Sequence, residues 1–296
     1  MTESTSQSQT SSFPGFISEE DITSFQNKGY LAWNGILSPE EVADARSAIR
    51  NVVNQLAGQE GKASLNLQGE NGNPVFQSTS SRCFFQLEAG SRPDTSDLDA
   101  LELKVRKLMW FEEESPVFHQ IAFDHPALRA VREALLGEGA KMFQSMALIK
   151  PPFHGSEKPW HQDNAYFKVT PLDAILGVWI ALDHATVENG CMHVLEGGHR
   201  AGPLRHHHDK DCEIVEGRLQ PENAVPVELE PGGVLFFYGM LPHFTPANKT
   251  PKRRRALQFH YHAAHAVHRE SEAYDRIFAE PDGTPASCEA ARIAGV

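Results

Sequence analysis

The chain has 296 residues, of which 40% are hydrophobic, so it can bury a substantial core, and an all-β domain of this size is commonly a single unit. Its formal net charge of −12 argues against nucleic acid or an anionic membrane as a partner, and no apolar run approaches the roughly 18 residues of a membrane span. Neither a secretory signal nor a CxxC pair is recognisable, so we expect a cytoplasmic protein without a thiolate zinc site. Its oligomeric state, monomer or homodimer, stays open.

The N-terminal region predicts a polar tail followed by two helices. Residues 1–17 begin with a run of Ser, Thr, Gln and Glu, a composition typical of disorder. Ser18 precedes three acidic residues, which favours a short helix that ends at Gly29. The sequence Ser38-Pro39-Glu40-Glu41 supplies an N-cap, a proline at the first helical position and a capping-box glutamate. Apolar residues at helical spacing continue to Leu56, so we expect this second helix to brace a sheet.

The region that follows combines irregular and helical patterns. Residues 58–100 are rich in Gly, Asn, Ser and Asp, which predicts loops with one hairpin near residues 83–87. Helical patterns return over residues 98–109 and over residues 126–136. We assign residues 18–296 to one domain.

From Lys141 onward, short β-prone runs alternate with turn signals such as Pro231-Gly232-Gly233. These runs cover residues 142–149, 175–182, 192–195, 225–229, 234–238 and 256–262. Many short strands of this kind indicate an antiparallel barrel or jelly roll, so the predicted fold is mainly β with flanking helices (α+β), with its core over about residues 141–265. The polar residues 200–221 predict a long loop, which is a candidate lid over one mouth of the barrel.

Two His-x-Asp pairs occur in the chain, His161 with Asp163 and His207 with Asp209. On a strand, residues i and i+2 point to one face, so such a pair can occupy two adjacent positions on one metal ion. The second pair lies in the polar loop, where a solvated loop explains it better. For the first pair, His243 is a candidate third ligand, since it follows the apolar run over 234–238, although a histidine at a strand end is often structural. Two histidines and one carboxylate form the ligand set that binds non-haem Fe(II).

Arg254 follows His243 by eleven residues and begins another β-prone segment. A guanidinium can bind a carboxylate through two parallel hydrogen bonds, as a clamp for a dicarboxylate co-substrate requires. A solvated basic turn over residues 252–255 is the simpler alternative.

Together these residues resemble the phytanoyl-CoA dioxygenase family of Fe(II)/2-oxoglutarate oxygenases, which also contains ectoine hydroxylases. The motifs that carry the resemblance are His161-Gln162-Asp163 with Tyr166, Val178-Trp179-Ile180-Ala181-Leu182-Asp183, Glu188-Asn189-Gly190-Cys191, His243 with Asn248, and Arg254-Arg255-Ala256-Leu257. The resemblance implies a double-stranded β-helix core of jelly-roll, cupin-like type, braced by the N-terminal helices. It also implies that His161, Asp163 and His243 bind Fe(II), with 2-oxoglutarate and O₂ as co-substrates.

The resemblance further implies roles around the co-substrate. Arg254 would bind the distal carboxylate of 2-oxoglutarate with help from the Thr245 hydroxyl, and Trp179 would pack near it. Lys107, on the helix predicted over 98–109, is a further candidate. Core packing or surface charge would explain that lysine equally well, and the same holds for two candidates on the first β-prone run, Gln144 and Met146.

Two features bear on the reaction. Glu196-Gly197-Gly198-His199 stands where the family often has Pro-Gly-Ser-His, which leaves the role of that loop open. Relatives that halogenate replace the carboxylate ligand by a small residue, so Asp163 favours hydroxylation of a C–H bond of a soluble small molecule, with release of succinate and CO₂. The alternatives are a cupin-type enzyme with a non-redox metal and a non-catalytic binding protein that retains the fold.

Overall fold

The computed structural model describes residues 10–58, 63–67, 72–208, 212–215, 217, 219–268 and 277–278. Within these ranges the α-helices are α1 (Glu19–Lys28), α2 (Pro39–Gly58), α3 (Leu98–Glu102), α4 (Pro116–His119) and α5 (Pro126–Leu136). None of the helices in the described ranges is long and apolar enough to cross a membrane.

The β-strands of the described ranges fall into two large sheets and two small two-stranded ones. They are β1 (Ser11–Ser12), β2 (Tyr30–Asn34), β3 (Ala63–Asn66), β4 (Val75–Ser78), β5 (Phe84–Leu87), β6 (Val105–Met109), β7 (Lys141–Lys150), β8 (Lys158–His161), β9 (Val169–Thr170), β10 (Ile175–Ala181), β11 (Met192–Val194), β12 (His206–His208), β13 (Cys212–Ile214), β14 (Val225–Val227), β15 (Val234–Tyr238), β16 (His243–Thr245), β17 (Arg254–His262) and β18 (Val267–His268). The major sheet has the order β1-β2-β15-β10-β17-β7-β6-β5-β4-β3, and the minor sheet has the order β14-β11-β16-β8.

The central strands of the major sheet are buried on both faces, which explains why they read as continuous apolar runs. On β10, Val178 and Ile180 belong to the core shared with the helices, whereas Trp179 and Ala181 belong to a second core shared with the minor sheet. Two facing sheets of this kind form the predicted double-stranded β-helix, and each of the six β-prone runs corresponds to a strand. The prediction of a mainly β fold with flanking helices is confirmed.

The first helix forms as predicted and anchors the loop that departs from the family pattern. Ser18 and Asp21 complete a capping box, and Gly29 ends α1 with φ 86°. The loop at residues 196–199 lies against this end, because the Gly197 N–H donates to Lys28 O at 2.7 Å and His199 Nε2 lies 3.1 Å from Gln26 O. A side chain at position 29 would collide with the His199 ring.

Helix α2 braces the major sheet, as its apolar stripe predicts. Val42, Ala45, Ile49, Val52, Val53 and Leu56 are all buried. An ionic cluster adds to this contact: Asp183, just after β10, accepts two hydrogen bonds of 2.8 Å from the Arg255 guanidinium and lies 3.1 Å from Arg46 of α2. Burial raises the pKa of the Asp183 carboxyl, but its hydrogen bonds from Arg255 hold that pKa below the ordinary value.

Three expectations for the N-terminal half are corrected. The predicted tail contributes Ser11–Ser12, which pairs in parallel with β2; residues 1–9 lie outside the described part of the chain. The region predicted as loops with one hairpin near residues 83–87 contains the hairpin, as β4 and β5, but it also contributes β3 to the edge of the major sheet. The helix predicted over 98–109 ends at Glu102, and Lys107 lies on β6 instead, because pairing with β5 and β7 overrides the helical pattern.

The candidate lid also differs from a plain loop. Residues 206–208 and 212–214 pair as the antiparallel strands β12 and β13. His207 therefore lies on a strand, whereas its predicted partner Asp209 lies outside the described residues.

The ionic cluster predicts a pH-dependent contribution to stability. Asp183→Asn removes the charge that both arginines contact, so we expect the free energy of unfolding to fall by about 2 kcal/mol at pH 7. Because the folded pKa is depressed, the contribution is fully present above the unfolded pKa of about 3.9 and is lost as the pH falls through the folded value. Urea unfolding of the wild type and the variant at pH 7 and pH 3.5 should show that the difference between their free energies of unfolding is smaller at the lower pH. Asp44→Asn, on the exposed face of α2, is the matched control and should leave stability unchanged at both pH values.

Candidate active site

Two histidines and one carboxylate converge where β8 and β16 of the minor sheet lie side by side. His161 and His243 are direct partners in the register of these strands, and their ring centroids are 4.2 Å apart. His161 is the last residue of β8 and Asp163 begins the 3₁₀ turn Asp163–Ala165, so a strand end followed by a turn, rather than one strand, brings the pair together. One ligand atom from each residue lies within 4.8 Å of the other two, so the three can hold one metal ion.

Backbone carbonyls determine which ring nitrogen of each histidine faces the centre. His161 Nδ1 lies 2.8 Å from Pro159 O, and His243 Nδ1 lies 2.9 Å from Leu241 O. Each Nδ1–H therefore donates to a carbonyl two residues earlier, and each Nε2 keeps its lone pair for a metal. Burial, aided by His161, lowers the pKa of His243 to about 3, so its imidazole is neutral at physiological pH.

Asp163 presents its carboxylate to the two imidazoles. Its Oδ1 atom lies 3.4 Å from His161 Nε2 and 3.7 Å from His243 Nε2. Burial raises the pKa of this carboxyl, but the rings of His260 and His243 and the hydrogen bond from His260 hold the pKa well below its usual range. The side chain is thus an ionised, buried ligand. The sequence did not indicate His260 as its neighbour.

Aromatic packing holds the His243 ring in place. The Phe237 ring of β15 meets the His243 ring edge to face, with centroids 4.9 Å apart. Gly177, opposite Phe237 in the sheet, leaves the space for that ring, since any Cβ there would overlap it. The Tyr166 ring stands perpendicular to His161 with a centroid distance of 5.8 Å.

Arg254 lies on β17 at the other end of the site and is almost fully buried. Its Nη1 donates to Leu148 O at 3.3 Å, while its Nε has no hydrogen-bond partner among the described residues. The guanidinium lies over the Trp179 ring at 5.2 Å, and the Trp179 Nε1 donor is likewise buried without a partner there. Burial lowers the pKa of Arg254 to about 10, which still leaves it charged at neutral pH. A buried cation beside free donors fits an anionic ligand.

The basic turn proposed as an alternative for Arg254 is thereby excluded, and its neighbours have other partners. Arg253 pairs with Glu102, whereas Arg255 pairs with Asp183. Asn248 fastens the loop before β17, since its Nδ2 lies within 3.1 Å of Lys150 O, Pro151 O and Lys252 O.

Of the remaining predicted residues, Thr245 lies on the minor sheet, and the others share the face of the major sheet that carries Arg254. Thr245 is buried on β16, two residues after His243. In the strand register Gln144 is the partner of His260, Met146 is the partner of Gln258, and Lys107 is the partner of Leu148. Residues that lie directly opposite each other on neighbouring strands project their side chains to the same face of the sheet. The register therefore leaves these side chains beside the site, without showing a contact to a ligand.

Gln162, between the two ligands of the His-x-Asp pair, was missed as a structural residue. Its Nε2 donates to Gly202 O and Met240 O, and its Oε1 accepts from the Leu204 N–H, all within 3.0 Å. Its backbone N–H donates to His206 Nε2 at 3.0 Å, so this buried histidine has no lone pair left for a metal. Gln162 thus fastens the start of the candidate lid segment to the turn that carries Asp163.

A double-stranded β-helix with a buried His-Asp-His triad and a buried free arginine is the architecture of a non-haem iron oxygenase. Residues 25–256 match the phytanoyl-CoA dioxygenase (PhyH) family, to which the chain belongs. Phytanoyl-CoA dioxygenase 1 of Oryza sativa subsp. japonica is 28% identical over 252 residues, which cover 83% of this chain and 89% of the rice protein. Phytanoyl-CoA dioxygenase domain-containing protein 1 of Rattus norvegicus is 26% identical over 264 residues, which cover 82% of this chain and 89% of the rat protein.

Solved structures agree with this assignment. EvdO2 from Micromonospora carbonacea var. aurantiaca has a TM-score of 0.60 and 26% identity, covering 91% of this chain and 97% of its own, and it has also been crystallised with 2-oxoglutarate. EctD from S. alaskensis with bound Fe shares the fold, with a TM-score of 0.60 and 23% identity. The match covers 83% of this chain and 77% of the EctD chain. The protein is therefore an Fe(II)/2-oxoglutarate-dependent dioxygenase, rather than a non-redox cupin enzyme or a non-catalytic binding module.

The contacts of Gln162 predict a loss of stability on truncation. Gln162→Ala leaves two carbonyls and one N–H buried without their partner, so we expect the free energy of unfolding to fall by about 2–4 kcal/mol. Urea unfolding of the metal-free protein measures this loss. The exposed Gln220 provides the matched control, and Gln220→Ala should cost less than about 0.5 kcal/mol. Equal stability of the two variants would contradict the assigned role.

Proposed function

We propose that this dioxygenase oxidises, by hydroxylation, a C–H bond of a soluble small molecule and releases succinate and CO₂. The observation that carries the proposal is the pairing of a buried His-Asp-His centre with a buried arginine that has no carboxylate partner among the described residues. One end of the site suits a metal cation, and the other end suits the free carboxylate of a dicarboxylic acid.

In this proposal, His161, Asp163 and His243 hold Fe(II) through the two Nε2 atoms and one carboxylate oxygen. Three protein ligands leave positions for 2-oxoglutarate and O₂. When bound, these groups supply an oxidant able to take hydrogen from a C–H bond, while 2-oxoglutarate is converted to succinate and CO₂. The protein contributes by orienting the ligands and excluding water. The carbonyls of Pro159 and Leu241 hold both rings in the tautomer that binds metal.

Arg254 binds the distal carboxylate of 2-oxoglutarate in this proposal. The unpaired Nε of Arg254 and the unpaired Nε1 of Trp179 are donors that such an anion would satisfy. Thr245 follows His243 by two residues on one strand, so its side chain faces the same interior and is assigned to assist the carboxylate.

The substrate is assigned to the remaining face beside the triad. Phe143 and Phe167 meet at 90° with ring centroids 4.8 Å apart, and Phe167 also contacts His260, so this wall is apolar. Gln144 and Met146 lie on the same strand, and we assign them to the substrate or co-substrate surface. Asp163 provides the carboxylate ligand whose absence marks halogenating relatives, so hydroxylation is favoured over chlorination. The segment over residues 200–221 is the proposed lid.

The metal centre is tested by anaerobic addition of Fe(II) and 2-oxoglutarate to the metal-free protein. We expect the visible charge-transfer band of the chelate to appear with the wild type and to be absent with Asp163→Ala, because that variant loses a ligand. Succinate release across a panel of small molecules should fall by more than about 100-fold in the same variant. Asp173→Ala, at an exposed turn, serves as the control. A normal band or normal turnover in Asp163→Ala would exclude this site.

The co-substrate clamp is tested by comparing two neighbouring arginines. Arg254→Met should weaken 2-oxoglutarate binding at least about 30-fold, the equivalent of about 2 kcal/mol, and leave ligand-free stability equal or higher, because an unpaired buried charge is removed. Arg253→Met should show the reverse: it leaves Glu102 buried without its partner and costs about 3 kcal/mol, while binding is kept. Unfolding in the presence of Mn(II), with and without 2-oxoglutarate, measures both quantities. Binding that falls equally in both variants would contradict the assignment.

A further inference from the structure

The two oxygens of the Asp163 carboxylate face different surroundings. Oδ1 faces the Nε2 atoms of His161 and His243, at 3.4 and 3.7 Å. Oδ2 faces the major sheet, where His260 Nε2 lies at 2.8 Å and Gln258 Nε2 lies at 3.4 Å. The carboxylate therefore bridges the metal side of the site and strand β17.

The strand geometry explains how His260 reaches this oxygen. Arg254, Gln258 and His260 are separated by even numbers of residues on β17, so all three project to the interior face. Next to His260 the register with β7 shifts, and Phe143 is the extra residue on β7. The His260 ring lies 4.8 Å from the Phe167 centroid and 6.0 Å from that of Phe143, and the residue is fully buried. These contacts hold the ring in place.

Hydrogen-bond chemistry decides which nitrogen carries the proton. An ionised carboxylate only accepts hydrogen bonds, so a contact of 2.8 Å requires a proton on His260 Nε2. Gln258 Nε2 lies 2.9 Å from the same nitrogen, and both donors are directed at Asp163 Oδ2. His260 is thus a donor to the outer oxygen of a proposed metal ligand.

We propose that His260 is a positioning residue: its Nε2–H holds Oδ2 of Asp163 and leaves Oδ1 alone for the metal. This inference rests on the proposed metal site. With Oδ2 held by His260, Oδ1 would be the carboxylate oxygen that holds the metal, and the other positions would be free for 2-oxoglutarate and O₂. Gln258 supports the same oxygen through a longer contact.

Two substitutions separate the hydrogen bond from packing. His260→Phe keeps an aromatic ring against Phe143 and Phe167 but loses the N–H donor. His260→Gln loses the ring but keeps a donor of similar reach. His262→Gln is the matched control, because His262 lies on the same strand and face, contacts Phe143, and has its Nδ1 2.8 Å from Ala263 O rather than near a metal ligand.

Equilibrium titration of the full chain with Mn(II) measures metal affinity without turnover, and the absorption spectrum of the Co(II)-loaded protein reports its coordination. We expect His260→Phe to weaken Mn(II) binding about 10- to 100-fold and to change the Co(II) spectrum. We expect His260→Gln to stay within about threefold of the wild type, and His262→Gln to match it. Urea unfolding of the metal-free proteins confirms that each variant folds.

The possible outcomes distinguish this inference from the proposed function. Wild-type affinity in His260→Phe would overturn the positioning role and leave the metal site intact. A loss in His260→Gln as large as that in His260→Phe would also overturn it, because packing would then be the cause. A wild type that binds no Mn(II) would overturn both the metal site and the role of His260.

Discussion

A carboxylate and two imidazoles are buried together where β8 and β16 run side by side, and the remainder of the structure supports this contact. Groups of this kind are costly to bury unless each has a partner. The carbonyls of Pro159 and Leu241 bind the outer nitrogens of the two rings, and Phe237 packs against His243. One ligand atom of each of the three side chains remains, and these atoms lie close together, so a single metal cation can bind all three.

The two ends of the site carry opposite buried charges. Asp163 is held ionised at one end, and Arg254 is held charged at the other without a carboxylate partner in the described chain. Desolvated charges without partners lower the stability of the ligand-free protein, and that free energy is recovered when ligands of the opposite sign bind. Arg253 and Arg255 have carboxylate partners and therefore serve the fold. Only the middle arginine of the three is available for a ligand.

The elements outside the β-helix core hold the segments around the site in position. Helix α2 is joined to the major sheet by its apolar stripe and by the contact of Arg46 with Asp183. Helix α1 holds the loop at residues 196–199 through His199. Gln162 ties the beginning of the lid segment to the turn that carries Asp163. His206 adds a second connection between them, because its Nε2 accepts a hydrogen bond from the Gln162 N–H.

The sequence by itself determined the elements with local signals, the capped helices and the apolar strands, and its resemblance to a known family selected the triad and Arg254. Those signals are local because capping, periodicity and motif spacing depend on nearby residues. Only the tertiary structure decided that Lys107 lies on a strand, since that strand exists through its pairing with β5 and β7. It also decided that His260 reaches Asp163, a contact between residues 97 positions apart. Such contacts depend on the register between distant strands, which no local pattern specifies.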